Sequence, residues 1–230
     1  MAAHPLDDPA LHALTGPHRH FATIAGAVSW YDPEVSFFTA VERFDAAAWS
    51  TLEARANVAR EGGVVVARTE PVELPSGWEV AFTIPGHQFV LDAPLPSRGA
   101  PPVRELTAKD VPAMLDLVGA TKPGPFFRRT IELGGYLGIE DGGALVAMAG
   151  ERLHLDGWTE ISAVCTDPAV RGRGYAAALT GMVARTILER GQQPFLHVAD
   201  GNDAAARVYE RLGFRRRTTI PFVVLRPSRR

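Results

Sequence analysis

One stretch of the chain has the residue types and spacing of an anion cradle: Arg171-Gly172-Arg173-Gly174-Tyr175-Ala176. It stands between a run that reads as a strand, Glu160 to Thr166, and one that reads as a helix, Ala176 to Arg190. Two glycines open backbone conformations that other residues rarely adopt, and the first-turn amides of a helix have no intrahelical acceptors. Such a turn offers main-chain N–H groups and the positive end of a helix dipole to a phosphate. The helix is legible from Leu179, Met182, Val183, Thr186 and Ile187 at i, i+3, i+4, i+7 and i+8, with Gly191 in place for a left-handed cap.

Further on, Pro194 to Ala199 reads as a buried strand and Asp200-Gly201-Asn202-Asp203 as a turn and N-cap. A second helix follows, with Ala205, Val208, Tyr209 and Leu212 as its buried stripe and Gly213 at its end. Thr218 to Leu225 reads as a last strand, which Pro221 assigns to an edge. Taken alone, Tyr209 on such a stripe is a core aromatic and Glu160 a solvated or ion-paired strand residue. Cys165 is the sole cysteine and reads as inert packing, with no triad around it.

Two nucleotide-binding readings of the glycine turn compete. As Gly172-x-Gly174-x-x-Ala177 it would be a dinucleotide fingerprint, but the acidic residue near the required separation, Glu189, falls inside the helix and not at the end of the next strand. The other reading takes more of the chain. Arg171-x-x-Gly174-x-Ala176 and Asn202-x-x-Ala205-x-x-x-Tyr209-x-x-x-Gly213-Phe214 resemble, in content, order and separation, the two signature blocks of the acetyl-CoA-dependent N-acetyltransferases of the GNAT superfamily. The run from Glu160 to Pro168 is similar to the strand preceding the loop in the branch that includes relatives of glycine acyltransferases. The resemblance spans roughly Val103 to Leu225.

The resemblance implies an α/β (α+β) acyl-CoA N-acyltransferase fold, a mixed central sheet flanked by helices. It implies that Arg171, Gly172, Arg173, Gly174, Tyr175 and Ala176 hold the pyrophosphate of coenzyme A. Main-chain groups of Val164, Cys165 and Thr166 would pair with the pantetheine arm like an added strand, and Asn202 and Ala205 would meet the arm further along. Tyr209 is implied as the acid at the leaving sulfur. Glu160 is implied as the base that relieves the attacking amine of its proton, directly or through water; each such group is typically worth roughly 10²- to 10⁴-fold in rate. Acetyl-CoA is then the cosubstrate and a primary amine on a small molecule or peptide the acceptor, with no metal required and a homodimer left open. The alternative from another class is a noncatalytic acyl-CoA-binding sensor or interaction module.

The 230 residues are 46% hydrophobic and 22% charged, enough to bury one large or two small cores. The net charge of −2 is unevenly spread: residues from Glu151 onward carry +5, and the half that must meet a polyanion is the basic one. Arg215-Arg216-Arg217 reads first as a solvated run and second as a contact for a 3′-phosphate. Basic stretches interleaved with aromatics are missing, which argues against nucleic acid as a partner. No signal-peptide pattern or apolar run near 20 residues is present, so the expectation is a cytoplasmic protein off the membrane. His18 and His20 are the one tight histidine pair, without the spacing of a metal motif.

The proline- and glycine-rich stretch Leu91 to Pro102 reads as a linker between an accessory N-terminal domain, residues 1–95, and a catalytic domain, 101–230. In the second, Val103 to Leu106 reads as a strand, Thr107-x-x-Asp110 as a cap before a helix through Met114, Leu115 and Leu117, and Phe127 to Leu133 as another helical piece. Tyr136 to Ile139 and Ala144 to Gly150 read as a hairpin. In the first, Phe44 to Ala59 has helical character, while Val64 to Ala67 and Val80 to Ile84 read as strands. This helix-then-strand order suggests a degenerate acetyltransferase-like half or a cover over the acceptor cleft.

Overall fold

The computed structural model describes residues 4–59, 62–96 and 101–228. In chain order its elements are α1 (Pro9–Thr15), β1 (Ala22–Ala25), β2 (Val28–Tyr31), β3 (Thr39–Val41), α2 (Ala46–Ala56), β4 (Val64–Ala67), β5 (Trp78–Ile84), β6 (Gly86–Leu91) and β7 (Arg104–Glu105). There follow α3 (Val111–Thr121), β8 (Tyr136–Asp141), β9 (Ala144–Leu155), β10 (Trp158–Thr166), α4 (Tyr175–Glu189), β11 (Gln193–Ala199), α5 (Asp203–Arg211), β12 (Phe214–Thr219) and β13 (Phe222–Pro227).

A seven-stranded mixed sheet, ordered β12-β6-β11-β10-β9-β8-β7, is the spine. Alternation along its strands feeds two cores. On β11, Leu196 and Val198 pack with Leu179, Val183 and Ile187 of α4, while Phe195 packs with Leu14 of α1 and Leu153. On β9, Ala147 and Ala149 join the α4 side, whereas Met148 joins Met114 and Leu117 of α3. Thus α4 covers one face, and α1 and α3 the other. The turn between β8 and β9 is Gly142-Gly143, both at positive φ as a tight hairpin requires.

The two halves exchange strands across the expected division at residues 95–101. β6 belongs by sequence to the first segment, yet it pairs antiparallel with β11 on one side and β12 on the other. Conversely, β13 leaves the large sheet to sit between β4 and β5 in a second, three-stranded sheet. The run Thr218 to Leu225 is therefore two strands in two sheets and not one edge strand. Pro221 stands at the break, where a residue without an N–H costs no ladder bond, and the downstream half is central instead of marginal. α2 packs Ala48, Leu52 and Ala56 against Val64, Val66 and Leu225 of that second sheet.

Several expectations are met closely. β4 has the expected bounds, and α4 ends in Gly191 at φ 76°. Around Phe127 to Leu133 the helical piece shrinks to one 3-10 turn, Thr130–Leu133. The strand expected at Val103 to Leu106 is the two-residue β7. Of the proposed linker, Leu91 ends β6, and 97–100 lie outside the described residues.

Candidate active site

The site opens where two neighbouring strands stop pairing. β10 and β11 run parallel and in register from Trp158 opposite Gln193 to Ile161 opposite Leu196, and beyond that point the ladder ends although both strands continue. On its other side β10 carries a bulge: Ser162 faces Gly150 and Cys165 faces Met148, so Ala163 and Val164 together oppose Ala149. Ala163 takes φ 53°, a left-handed conformation that alanine rarely adopts. The parting of the strands and the bulge together leave the main chain of residues 162–166 facing open space, available to an extended chain of amides.

Directly beyond lies the glycine turn. Gly172 and Gly174 sit at φ 84° and 80°, and a β-carbon at either would meet nothing within 4 Å. Their requirement is thus conformational, and the space above them is free for a ligand. Gly174 is the N-cap of α4 and no side chain caps it, so the first-turn amides of a 15-residue helix point outward unfilled. Arg171 Nε donates to the Thr166 carbonyl at 3.3 Å, and Arg173 pairs with Asp141 at 3.0 Å. The Thr166 hydroxyl is buried without a hydrogen-bond partner among the described residues, although it lies in the wall of this opening.

On the facing side is α5. Asn202 caps it, Oδ1 accepting from the Ala205 amide at 3.2 Å, which leaves its side-chain amino group to the opening. Tyr209 is only 7% exposed, and its ring meets Phe214 edge-on at 6.2 Å. Burial, followed by the neighbouring Cys165, holds its phenol well above the ordinary range. Burial likewise pushes the Cys165 thiol up to about 11, against weaker opposing hydrogen bonds from Thr121 and Met148, so it is not a thiolate at neutral pH.

All these groups line one cavity of about 840 Å³: Val164, Cys165 and Thr166, the turn residues Arg171, Gly172, Gly174, Tyr175 and Ala176, and Asn202, Ala205 and Tyr209. Arg173 flanks the turn without lining the cavity. Neither do the three consecutive arginines reach it: Arg215 pairs with Asp92, Arg216 with the Thr219 hydroxyl, and Arg217 with Gln88 and Asp7.

Glu160 lies apart from these groups. It is fully buried beneath the cavity and not in its wall. Arg152 clasps it in two-point fashion, Nε to Oε2 at 2.8 Å and Nη2 to Oε1 at 2.6 Å, and His197 Nδ1 contacts Oε1 at 2.6 Å. Burial alone would raise its pKa, but the Arg152 charge and then His197 outweigh burial and hold it at about 2. A carboxylate so held is a weak proton acceptor with no free face toward an amine. A second bulge explains the clasp: Thr159 faces His154 and Ile161 faces Glu151, so Arg152 and Leu153 oppose Glu160 alone.

The groups that do reach the cavity from this network, Arg152 and His197, were missed by the motif reading. Neither has a spacing signature, because one depends on a bulge and the other on a parallel neighbour. Gln88 Nε2 donates to the Leu6 carbonyl at 2.9 Å and lies 3.1 Å from His197 Nε2, while its Oε1 accepts from Arg217. This pattern assigns the His197 proton to Nδ1, directed at Glu160. Elsewhere, His18 is buried with Nδ1 at 2.8 Å from the Tyr31 hydroxyl; burial, then His154 and His20, lower its pKa to about 3.

An apolar part of the wall comes from Phe37, Val65 of β4, and Phe82 and Ile84 of β5 in the N-terminal half, together with Phe222 and Val224 of β13. The N-terminal segment therefore does flank the opening.

With this geometry the comparisons with known proteins agree. Residues 136–223 match the family model described as FR47-like protein. A structure from Novosphingobium aromaticivorans assigned to the GNAT family of acetyltransferases is 35% identical, covers 99% of this chain and 100% of its own, and superposes with a TM-score of 0.87. The chain belongs to the GNAT family. A GCN5-related N-acetyltransferase from Kribbella flavida shares the fold at 22% identity, with 96% of each chain covered and a TM-score of 0.64. Among curated proteins, a mycothiol acetyltransferase of Mycolicibacterium gilvum is 38% identical over 82 residues, which is 33% of this chain and 27% of that one. The chain spans little more than a quarter of the length of the curated relatives it matches. Among the described residues no helix is long and apolar enough to cross a membrane.

Proposed function

We propose that the protein is an acetyl-CoA-dependent N-acetyltransferase that acts on a primary amine. One observation carries the reading: the parted ends of β10 and β11, the uncapped start of α4 and the buried ring of Tyr209 share a single cavity. The fit to coenzyme A rests on the same features. The free amides at Gly172 to Ala177 suit the pyrophosphate, the released main chain of 162–166 and the unpaired Thr166 hydroxyl suit the amides of the arm, and the Asn202 amino group meets the arm beside α5.

Acetyl-CoA supplies an activated thioester, and the chain supplies position and proton control. Tyr209, kept protonated by burial, gives its hydroxyl proton to the departing sulfur. The amine must arrive uncharged. Among the described residues no Asp or Glu lines the cavity, so no carboxylate there stabilises an ammonium, and the amine gives its proton to solvent on entry. Glu160 acts as a positioning residue that fixes Arg152 and the His197 ring in the wall.

The test is calorimetric titration with acetyl-CoA, then thiol release with a panel of primary amines on the same preparation. Binding with amine-dependent release supports the reading. Binding without release across the panel favours the noncatalytic acyl-CoA sensor, and no binding overturns the assignment of the glycine turn.

A further inference from the structure

The acceptor end of the cavity differs in chemistry from the cofactor end, and the difference identifies a substrate class. The inference rests on the transferase reading above for the position of the reacting amine, but the chemistry of the wall stands independently. Among the described residues every fully ionic side chain lining the cavity is basic, namely Lys122, Arg152, Arg171 and Arg211, and none is a carboxylate. Of these, Arg152 is already neutralised by Glu160. An acceptor with two or more ammonium groups would set its further charge against a basic wall with no carboxylate to pair it.

Away from the glycine turn the cavity is lined by Phe37, Phe82, Ile84, Phe222 and Val224. Phe82 and Ile84 are 49% and 47% exposed, large apolar groups on β5, an edge strand of the second sheet. Phe222 joins this patch to the polar network: its ring meets His197 edge-on at 5.4 Å and Phe38 at 5.9 Å. The patch is therefore continuous with the site where the amine must sit.

We propose that the acceptor is a monoamine with an aromatic or branched aliphatic body, and that Phe37, Phe82, Ile84, Phe222 and Val224 form its side-chain pocket. A body lying on this patch covers apolar surface that is otherwise wet, and its single nitrogen projects toward Tyr209 and the thioester.

The experiment compares near-isosteric amines, n-hexylamine and 1,5-diaminopentane, with 2-phenylethylamine as the aromatic probe. Thiol release gives kcat/KM, and calorimetry on protein saturated with coenzyme A gives affinity independent of turnover. The expected result is a preference for hexylamine over the diamine of at least about 100-fold, the scale by which hydrophobic pockets and unpaired polar groups discriminate. Phe82→Asp, at a half-exposed position, is expected to reduce that ratio at least tenfold while acetyl-CoA affinity holds; Ile84→Asp serves as the second variant.

A wild-type preference for the diamine, or a ratio unmoved in both variants, overturns the pocket while leaving the transferase intact. Monoamine binding without thiol release supports the pocket and overturns the transferase. Neither binding nor turnover of any monoamine overturns the pocket.

Discussion

The two ends of the cavity are built from different materials. The end proposed to hold the cofactor is main chain: a bulge at Ala163, a ladder that stops at Ile161, and helix amides freed by Gly172 and Gly174. The acceptor end is side chain: an apolar patch from β4, β5, β13 and the segment at Phe37, set over a buried ionic clasp. A main-chain site fixes spacing and leaves side chains free, so it is written in one continuous piece of sequence. A side-chain site fixes residue types and draws them from wherever the topology delivers them. Point substitutions should therefore weaken the first mildly, except at the group that moves a proton, and the second by changing selectivity or stability.

The largest effect is expected at that exception. Tyr209→Phe keeps the ring and its contact with Phe214 and removes the proton donor, so kcat should fall roughly 10²- to 10⁴-fold with little change in acetyl-CoA affinity. Steady-state kinetics beside a calorimetric titration reads both; full activity in the folded variant would remove Tyr209 as the acid.

Next comes the clasp. Arg152→Ala leaves buried Glu160 with His197 as its remaining partner, and breaking a buried ion pair from one side costs about 3–5 kcal/mol. Chemical denaturation should show that loss, and a drop below about 1 kcal/mol would mean that Glu160 finds another partner or water.

The clasp also sets an acid limit. The folded-state pKa of Glu160 lies at about 2, below its ordinary value of 4.5. The stability it confers is complete above 4.5 and is lost as pH falls toward 2. Wild type should thus be more stable than Glu160→Gln at neutral pH, with the gap narrowing through that window; a gap independent of pH would assign the difference to packing.

How much of this was legible in the sequence follows the same division. The glycine turn, α4 and the Asn202 cap could be read because local spacing specifies them, while Tyr209 was singled out by the resemblance of its block to the family's signature. Strand β6 could not. Its neighbours in the large sheet are more than 100 residues downstream, and nothing local says that Gly86–Leu91 and Phe222–Pro227 trade sheets. Glu160 was found for its position on the strand, but its role turned on a bulge that set Arg152 beside it and on a parallel neighbour that supplied His197, both invisible to periodicity. The acceptor wall was missed for the same reason: Phe82 and Val224 pair only through the ladder of the second sheet.

A smaller effect tests the main-chain end. Gly174→Val places a β-branched residue at φ 80°, a conformation that costs about 1–2 kcal/mol, and sets its side chain in the open space proposed for the ligand. Acetyl-CoA affinity should fall some 5- to 30-fold with the amine preference unchanged, since each 1.4 kcal/mol is tenfold. Altered amine selectivity in this variant would break the separation of the two ends.

The smallest expected change is the most discriminating, because Asn202 caps a helix and is also proposed to contact the cofactor. Its Oδ1 holds the Ala205 amide, a role that aspartate fills equally well. Asn202→Asp should therefore leave the unfolding midpoint within a few tenths of a kcal/mol, but it removes the amino donor and sets a carboxylate toward a polyanion. Asn202→Ala loses the cap, at about 1 kcal/mol, without adding charge. If the amino group contacts the cofactor arm, the aspartate variant binds acetyl-CoA more weakly than the alanine variant while being the more stable of the two. Raising salt should recover part of the aspartate loss and little of the alanine loss, because screening acts on charge and not on a missing hydrogen bond. Equal affinities for aspartate and wild type would reduce Asn202 to a cap and leave the cofactor end built from main chain alone.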